Sequence, residues 1–279
     1  MRARWILCSL IAGLLPLSAV TQQQQDKHAQ ALVRAAVQSE LVADRNDHSR
    51  WQYRDLDRKP EQGEALYQVV ETDHGAVKKK LQQDGRPLDA EGLRAEDARI
   101  WAFVNDPAQQ AKQRKEGEQD DKRAEAMMRM LPDAFLWSIK SDNDDSTTFA
   151  FTPDPNFEPP NMEARVFSAM AGELVVNKAQ NRIQTIKGKL IRDVKFGWGL
   201  LGHLNAGGTF NVERREIAPG IWTITESHVH IDGRALLFKS IGEQEDEVKS
   251  QFRRTPPATT LEQAANILKA EPTSLAAER

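Results

Sequence analysis

Cysteine is nearly missing from this chain: Cys8 is its one residue of that type. It lies inside the apolar run from Trp5 to Val20, too early for the acylated cysteine of a lipoprotein, which stands at the cleavage point. A chain processed after that run keeps no cysteine, so no disulfide can hold it and no thiol can act as a nucleophile. Its stability must then come from a packed core. Long apolar stretches are scarce as well, and no segment after residue 20 is apolar enough to span a bilayer. A dominant charge is the third lack. With a formal net charge of -3 and 28% charged residues, no field demands nucleic acid or an anionic surface as partner.

Motifs of known chemistry are equally thin. No G-x-S-x-G marks a nucleophile elbow, and no carboxylate pair stands out by an apolar setting that would raise its pKa. Gly197-Trp198-Gly199-Leu200-Leu201-Gly202 has the G-x-G-x-x-G spacing, but the residues that follow, His203 to Gly208, cannot carry the helix whose N-terminus would meet a pyrophosphate. The run reads as a glycine-rich bend between strands. His228 and His230 face the same way from a strand, with Glu226 and Asp232 extending the row. A third ligand for zinc is not evident, and the row reads as a solvent face. The expectation is therefore no catalytic residue, no metal site and no cofactor.

What is present starts with an export signal: Arg2 and Arg4, then the apolar run, then Gln22 to Gln25, with a small residue for cleavage at Ala19 or Thr21. Residues 1–21 are expected to be removed, leaving the protein periplasmic or secreted. Roughly 255 residues then remain, enough for one large domain. Apolar positions at three- and four-residue steps predict an amphipathic helix from Asp26 to Asp44. The segments 65–72 and 76–83 flank Asp73-His74-Gly75 and predict a hairpin. The polar stretch from Asp89 to Met130 reads as two helices, the second starting at Asp106-Pro107. Beyond Pro132 a hairpin around Asp142 to Asp145, a short helix ending at Gly172, and strands 173–177, 182–187, 189–196, 208–215, 221–231 and 234–241 are expected, with a last helix from Leu261 to Leu268. In the third of those strands, Leu190, Val194, Phe196, Trp198 and Leu200 share a face.

The fold class that fits is α+β: a strongly curved antiparallel sheet forming an incomplete β-barrel, with helices packed on or capping its concave side. Aromatic residues concentrate in the second half. Trp137, Phe149, Phe151, Phe196, Trp198, Phe210, Trp222 and Phe238 are the candidate lining of an apolar cavity, and the same residues could equally be core.

The runs Phe151 to Phe157, Met170 to Val176, Arg182 to Leu190, Phe196 to Gly208 and Gly233 to Lys239 resemble secreted bacterial proteins related to the outer-membrane lipoprotein-sorting family, with a LolA/LolB-like fold. The resemblance spans about 120 residues of strand pattern and transfers no ligand-contacting residue. It implies one open-barrel domain over 22–252 with a helical insertion at 89–131, followed by a C-terminal helix and tail over 253–279. It also implies a monomeric periplasmic carrier, not an enzyme, whose partner is the acyl chain of a lipid or lipoprotein and which meets membrane proteins in passing. The alternative is an envelope protein of the same fold that binds a protein or glycan, its core filled by its own side chains.

Overall fold

The computed structural model describes residues 17–196, 202–235 and 244–270, with the backbone alone for 17–25, 234 and 235. Trp198 and Phe238 lie outside the described residues, as do the apolar run up to residue 16 and most of the glycine bend. The expected cleavage points at Ala19 and Thr21 fall in the first turns of helix α1, Leu17–Asn46. No described helix is long and apolar enough to cross a membrane.

Three strands follow α1: β1 (Trp51–Lys59), β2 (Gly63–Thr72) and β3 (Gly75–Gln83). The expected hairpin is β2–β3. Its turn closes because Thr72 Oγ1 donates to the Gly75 carbonyl at 2.7 Å and accepts from His74 N at 3.0 Å. Gly75 sits at φ 119, a value a side chain would resist. After the two-residue β4 (Arg86–Pro87), helix α2 (Ala90–Val104) starts on Asp89, whose carboxylate accepts from Gly92 N at 2.7 Å. Helix α3 (Pro107–Ala134) starts on Asp106, which accepts from Ala108 N and Gln109 N at 3.0 Å, with Pro107 in the first turn.

Then come β5 (Phe135–Asp142), β6 (Ser146–Pro153), a 3-10 helix over Glu163–Ala169, β7 (Met170–Asn177), β8 (Arg182–Leu190), β9 (Val194–Phe196), β10 (Gly202–Leu204), β11 (Thr209–Ala218), β12 (Ile221–His230), β13 (Gly233–Ala235), β14 (Glu245–Arg254) and helix α4 (Leu261–Ala270). The strand expected over 189–196 is divided. Leu190 ends β8 in the large sheet, the chain bends at 191–193, and Val194 and Phe196 belong to a separate three-stranded sheet of order β13-β10-β9. The bend is fixed by Ile191 N donating to the Ala169 carbonyl at 2.7 Å, and by the Asp193 carboxylate accepting from Ala206 N at 2.9 Å. Likewise the short helix stops at Ala169 and Met170 to Gly172 are strand, because their partners Leu190 to Gly188 stand opposite.

The large sheet has eleven antiparallel strands in the order β4-β3-β2-β1-β14-β12-β11-β8-β7-β6-β5. Its two ends, β4 and β5, are not paired to each other, so the sheet is not closed. The strand that joins its halves is β14, bonded to β1 on one side and β12 on the other. No strand was expected there.

Cross-strand partners show what each face carries. Trp137, Phe151, Gly172, Gly188, Phe210, Val229 and Glu245 are successive partners across seven strands and so share one face. That face is apolar from β5 to β11 and lies under α1, whose Ala29, Val33, Ala36, Val37 and Leu41 complete the main core. Gly188 is glycine for a reason of space: a Cβ there would come within 2.9 Å of the Phe210 ring and 2.3 Å of the Ala171 carbonyl. Beyond Val229 the same face turns charged, with Glu245 and Glu247 on β14, then Asp57 opposite Glu247, and Ala65 opposite Asp57. Val70, an odd number of residues from Ala65, points the other way. With Val77 it is covered by α4 and α2 through Leu261, Ala264, Ala265, Leu268 and Ile100. The helices thus lie on opposite faces at the two ends of the sheet, rather than together on one side. Helix α4 belongs to this second core.

Candidate functional site

The expected cavity lining can be placed residue by residue. Trp137 on β5 is 2% exposed; Phe149 and Phe151 on β6 and Phe196 on β9 are 1% exposed, and Phe210 on β11 is 9% exposed. All five belong to the core under α1. Two of them join Phe135 in ring contacts: Phe135 to Phe151 is 4.7 Å between centroids, Trp137 to Phe151 5.3 Å, Phe135 to Trp137 5.7 Å, and the indole N–H of Trp137 donates to the Pro132 carbonyl at 3.2 Å. The five belong to one packed core, ring to ring around Phe135, Trp137 and Phe151, with α1 lying over it. Trp222 on β12 is elsewhere, half-buried at one end of the sheet, its Nε1–H donating to Gln180 Oε1 at 2.9 Å. The contrast gives a measurable difference. Trp137→Ala is expected to cost about 3–5 kcal/mol in urea unfolding, and Trp222→Ala about 1 kcal/mol. Equal losses would show that the Trp137 ring is not packed as described.

Sequence reasoning passed over the polar groups that hold α1 down. Glu40, 3% exposed, faces the sheet from that helix. Its Oε1 accepts from Ile183 N at 2.6 Å and its Oε2 from Arg182 Nη2 at 2.9 Å, while Arg214 of β11 pairs with the same oxygen. Arg182 Nη1 donates to the Gly220 carbonyl at 3.2 Å, but its Nε has no partner among the described residues. Burial pushes the Glu40 carboxyl up, and the two guanidinium groups more than offset it, so its pKa lies below the usual carboxylate range. Further along α1, Arg34 meets Asp133 at 2.5 Å in solvent.

Beside this triad, between the end of α1 and the sheet, lies a cavity of about 560 Å³. Arg182, Arg214 and Trp222 line it from the sheet, Arg254 from the end of β14, and Asp44 and Asp47 from the last turn of α1 and the residue after it. A second hollow of about 360 Å³ continues past Ser39 and Gln180 and shares Arg182. Of the described residues expected to line a cavity, Trp222 is the one found at these two.

A third feature crosses the middle of the sheet. Asp55 is 7% exposed, opposite Lys249 in register, and its Oδ1 has no partner. Burial and then Glu247 push its carboxyl up to about 6. Asp57 and Glu71 are raised too, each chiefly by burial, and the Tyr53 hydroxyl is pushed up by burial and then by Glu71. Lys59 meets Glu245 at 2.8 Å and Lys249 meets Glu247 at 3.2 Å, so part of the excess negative charge is balanced. The sequence marks no carboxylate pair by an apolar setting that would raise its pKa; burial in the sheet beside Glu247 raises Asp55 nonetheless. The strand β14, whose Glu247 raises Asp55, was not in the sequence reading.

The histidine row has a partner for the same reason. Asp246 of β14 stands opposite His228 in register, 2.7 Å from His228 Nδ1 and 2.9 Å from His230 Nε2. Burial raises Asp246 and the two histidine contacts more than offset it, leaving its pKa low. His228 and His230 are 34% and 52% exposed, a face that is wet but paired. Among the described residues no group of three or more His, Cys, Asp or Glu is placed to hold a metal ion. At the third glycine of the G-x-G-x-x-G run, Gly202 opens strand β10, where a dinucleotide fingerprint needs a helix.

No family model matches the sequence, and no curated protein matches it. Among solved structures the chain is similar to a LolA superfamily protein from Nitrosomonas europaea, at 14% identity and a TM-score of 0.26, over 82% of this chain and 94% of that one. A TM-score of that size carries no inference about function.

Proposed function

We propose that this protein is a non-catalytic carrier of the bacterial envelope that takes the acyl chain of a lipid or lipoprotein between α1 and the aromatic face of β5 to β8 and β11. The observation that supports the reading is the make-up of the α1 interface. The helix presents small and medium side chains, Ala29, Val33, Ala36 and Val37, to a face of large rings, and it is fastened by polar groups, Glu40 at one place and Arg34 at another. A helix fastened so can shift as a unit, exchanging its own apolar stripe for an acyl chain. Each methylene buried contributes about 0.8 kcal/mol. The export signal read from the first 25 residues supports the compartment.

The second reading is an envelope protein that binds a protein or glycan with its core permanently self-filled. The ring-to-ring contacts of Phe135, Trp137 and Phe151 favour it. Pinning α1 separates the two. Asn181 Nδ2 already donates to Ser39 Oγ at 2.9 Å, so cysteines introduced as Ser39→Cys and Asn181→Cys can be joined by a short bis-thiol crosslinker between α1 and the turn before β8, in a chain with no other thiol after processing. A fluorescent fatty acid is expected to bind the uncrosslinked variant at micromolar concentration and not the crosslinked one. No uptake by either form, with no lipid in native mass spectra of envelope-purified protein, would favour the self-filled reading.

A further inference from the structure

The cavity beside the Glu40 triad is two-signed. Its sheet side is basic. Arg182 and Arg214 converge there from β8 and β11, with one carboxylate, Glu40, behind both. Arg182 is 8% exposed at its side chain, and its buried Nε–H has no partner among the described residues. Arg254 adds a third guanidinium, stacked 5.2 Å from the centre of the Trp51 ring. Its helix side is acidic. Asp44 and Asp47 stand at the C-terminal end of α1 beside His48, where the helix dipole adds partial negative charge although Asp47 N already donates to the Ala43 and Asp44 carbonyls. Asp121 of α3 is close enough for Asp44 to raise its pKa, after burial, so the negative field on that side is reinforced. The charges facing the cavity nearly cancel in sum but are separated in space. An anion alone or a cation alone meets one favourable and one unfavourable wall.

We infer that this cavity binds a zwitterion carrying a phosphate and a primary ammonium, the phosphate on Arg182, Arg214 and Arg254 and the ammonium on Asp44 and Asp47. Arg182 and Arg214 spend donors on Glu40 and on the Gly220 and Trp222 carbonyls, so they offer a phosphate their charge and remaining N–H groups while Arg254 can present its fork, and an ammonium has three N–H donors for carboxylates and helix-end carbonyls. The half-buried Trp222 also lines the cavity, and its indole offers an apolar surface for the short alkyl link. About 560 Å³ accommodates such a group with room to spare. This chemistry occurs free, as phosphoethanolamine, and as a phospholipid headgroup. The inference does not depend on an acyl chain entering the core.

Calorimetric titration of the full protein with three probes tests it. Phosphoethanolamine is expected to bind at least about tenfold more tightly than inorganic phosphate, and ethanolamine more weakly than either. Two variants that leave the Glu40 triad intact separate the walls. Arg254→Gln should weaken phosphoethanolamine and phosphate together by about tenfold. Asp44→Asn with Asp47→Asn should bring phosphoethanolamine down to the affinity of phosphate while leaving phosphate as tight or tighter. The amide oxygen introduced by Asp47→Asn can still accept the 2.8 Å bond from Ser49 N that the Asp47 carboxylate accepts, so the loop keeps its anchor. Sedimentation with phosphatidylglycerol vesicles, with and without phosphatidylethanolamine, distinguishes the sources: enhancement by phosphatidylethanolamine identifies a headgroup, and binding of the free compound alone identifies a soluble ligand. The inference fails if phosphate binds as tightly as phosphoethanolamine, if neither binds at millimolar concentration, or if the aspartate variant leaves the difference unchanged. If fatty-acid uptake fails while phosphoethanolamine binds, the carrier reading falls and this one stands.

Discussion

Glu40→Gln should be among the most damaging single changes in this chain, lowering the free energy of unfolding by about 3–5 kcal/mol in urea melts near neutral pH. Glutamine keeps the shape and can still accept from Ile183 N, but it leaves Arg182 and Arg214 with no anion in a site where the Arg182 side chain is 8% exposed. Water reaches these guanidinium groups only from the cavity side, which is too little to replace the lost partner in full. The pH dependence has a defined sign. Glu40 has a lowered pKa in the folded state, so its contribution is full above the unfolded value of about 4.3 and is lost as pH falls through the lower folded value. Parent and variant should therefore converge in acid. A loss under about 1 kcal/mol at neutral pH would mean that the apolar stripe alone holds α1. The exposed Arg34–Asp133 pair, by contrast, should be worth no more than about 1 kcal/mol.

Asp55→Asn should act in the opposite direction and stabilise the protein by about 2–3 kcal/mol at pH 7 to 8. The folded pKa of Asp55 is about 6, above its unfolded value of about 4. Over that interval the folded state holds more protons than the unfolded one, so this group's effect makes the parent less stable as pH rises from about 4 to about 6, with the cost complete above that. Asparagine carries no charge to desolvate, and Lys249 keeps Glu247 at 3.2 Å. Stability of the variant should thus be flatter across that window. The acid-side loss from Glu40 lies below it, so one pH series resolves both. If Asp55→Asn is no more stable than the parent at pH 7.5, the Asp55 carboxylate is solvated in solution and the charged rows of β1 and β14 are open to water.

Periodicity marks an element where one of its faces meets apolar partners and the other meets water. The stripe Ala29, Val33, Ala36, Val37, Leu41 marks α1, the Asp73-His74-Gly75 turn marks β2–β3, and Phe149 and Phe151 mark the core side of β6. It failed at β14. Glu-Asp-Glu-Val-Lys-Ser-Gln-Phe-Arg-Arg has no apolar alternation because its neighbours, not a core, satisfy it: Lys59 meets Glu245, His228 and His230 meet Asp246, and Tyr53 lies against Phe252. A strand stabilised by cross-strand charge can be recognised only with its partners in view. With β14 unseen, the environments of Asp55 and Asp246 were also unseen.

Features legible residue by residue are local: the leading basic and apolar order, the amphipathic helix, the turns, the strand-rich second half, and the want of any motif that nominates a catalyst. These follow from properties a residue has wherever the chain places it, such as charge, volume and backbone preference. Long-range contacts set the rest: Trp137, Phe149, Phe151, Phe196 and Phe210 join one core under α1, helices cover opposite faces at the two ends of one sheet, and Glu40 meets Arg182 across 142 residues of chain. Whether an aromatic ring lines a cavity or fills a core depends on which atoms stand in contact with it. Those neighbours are supplied by strands far away in sequence, so hydrophobicity, a property of single residues, cannot specify them.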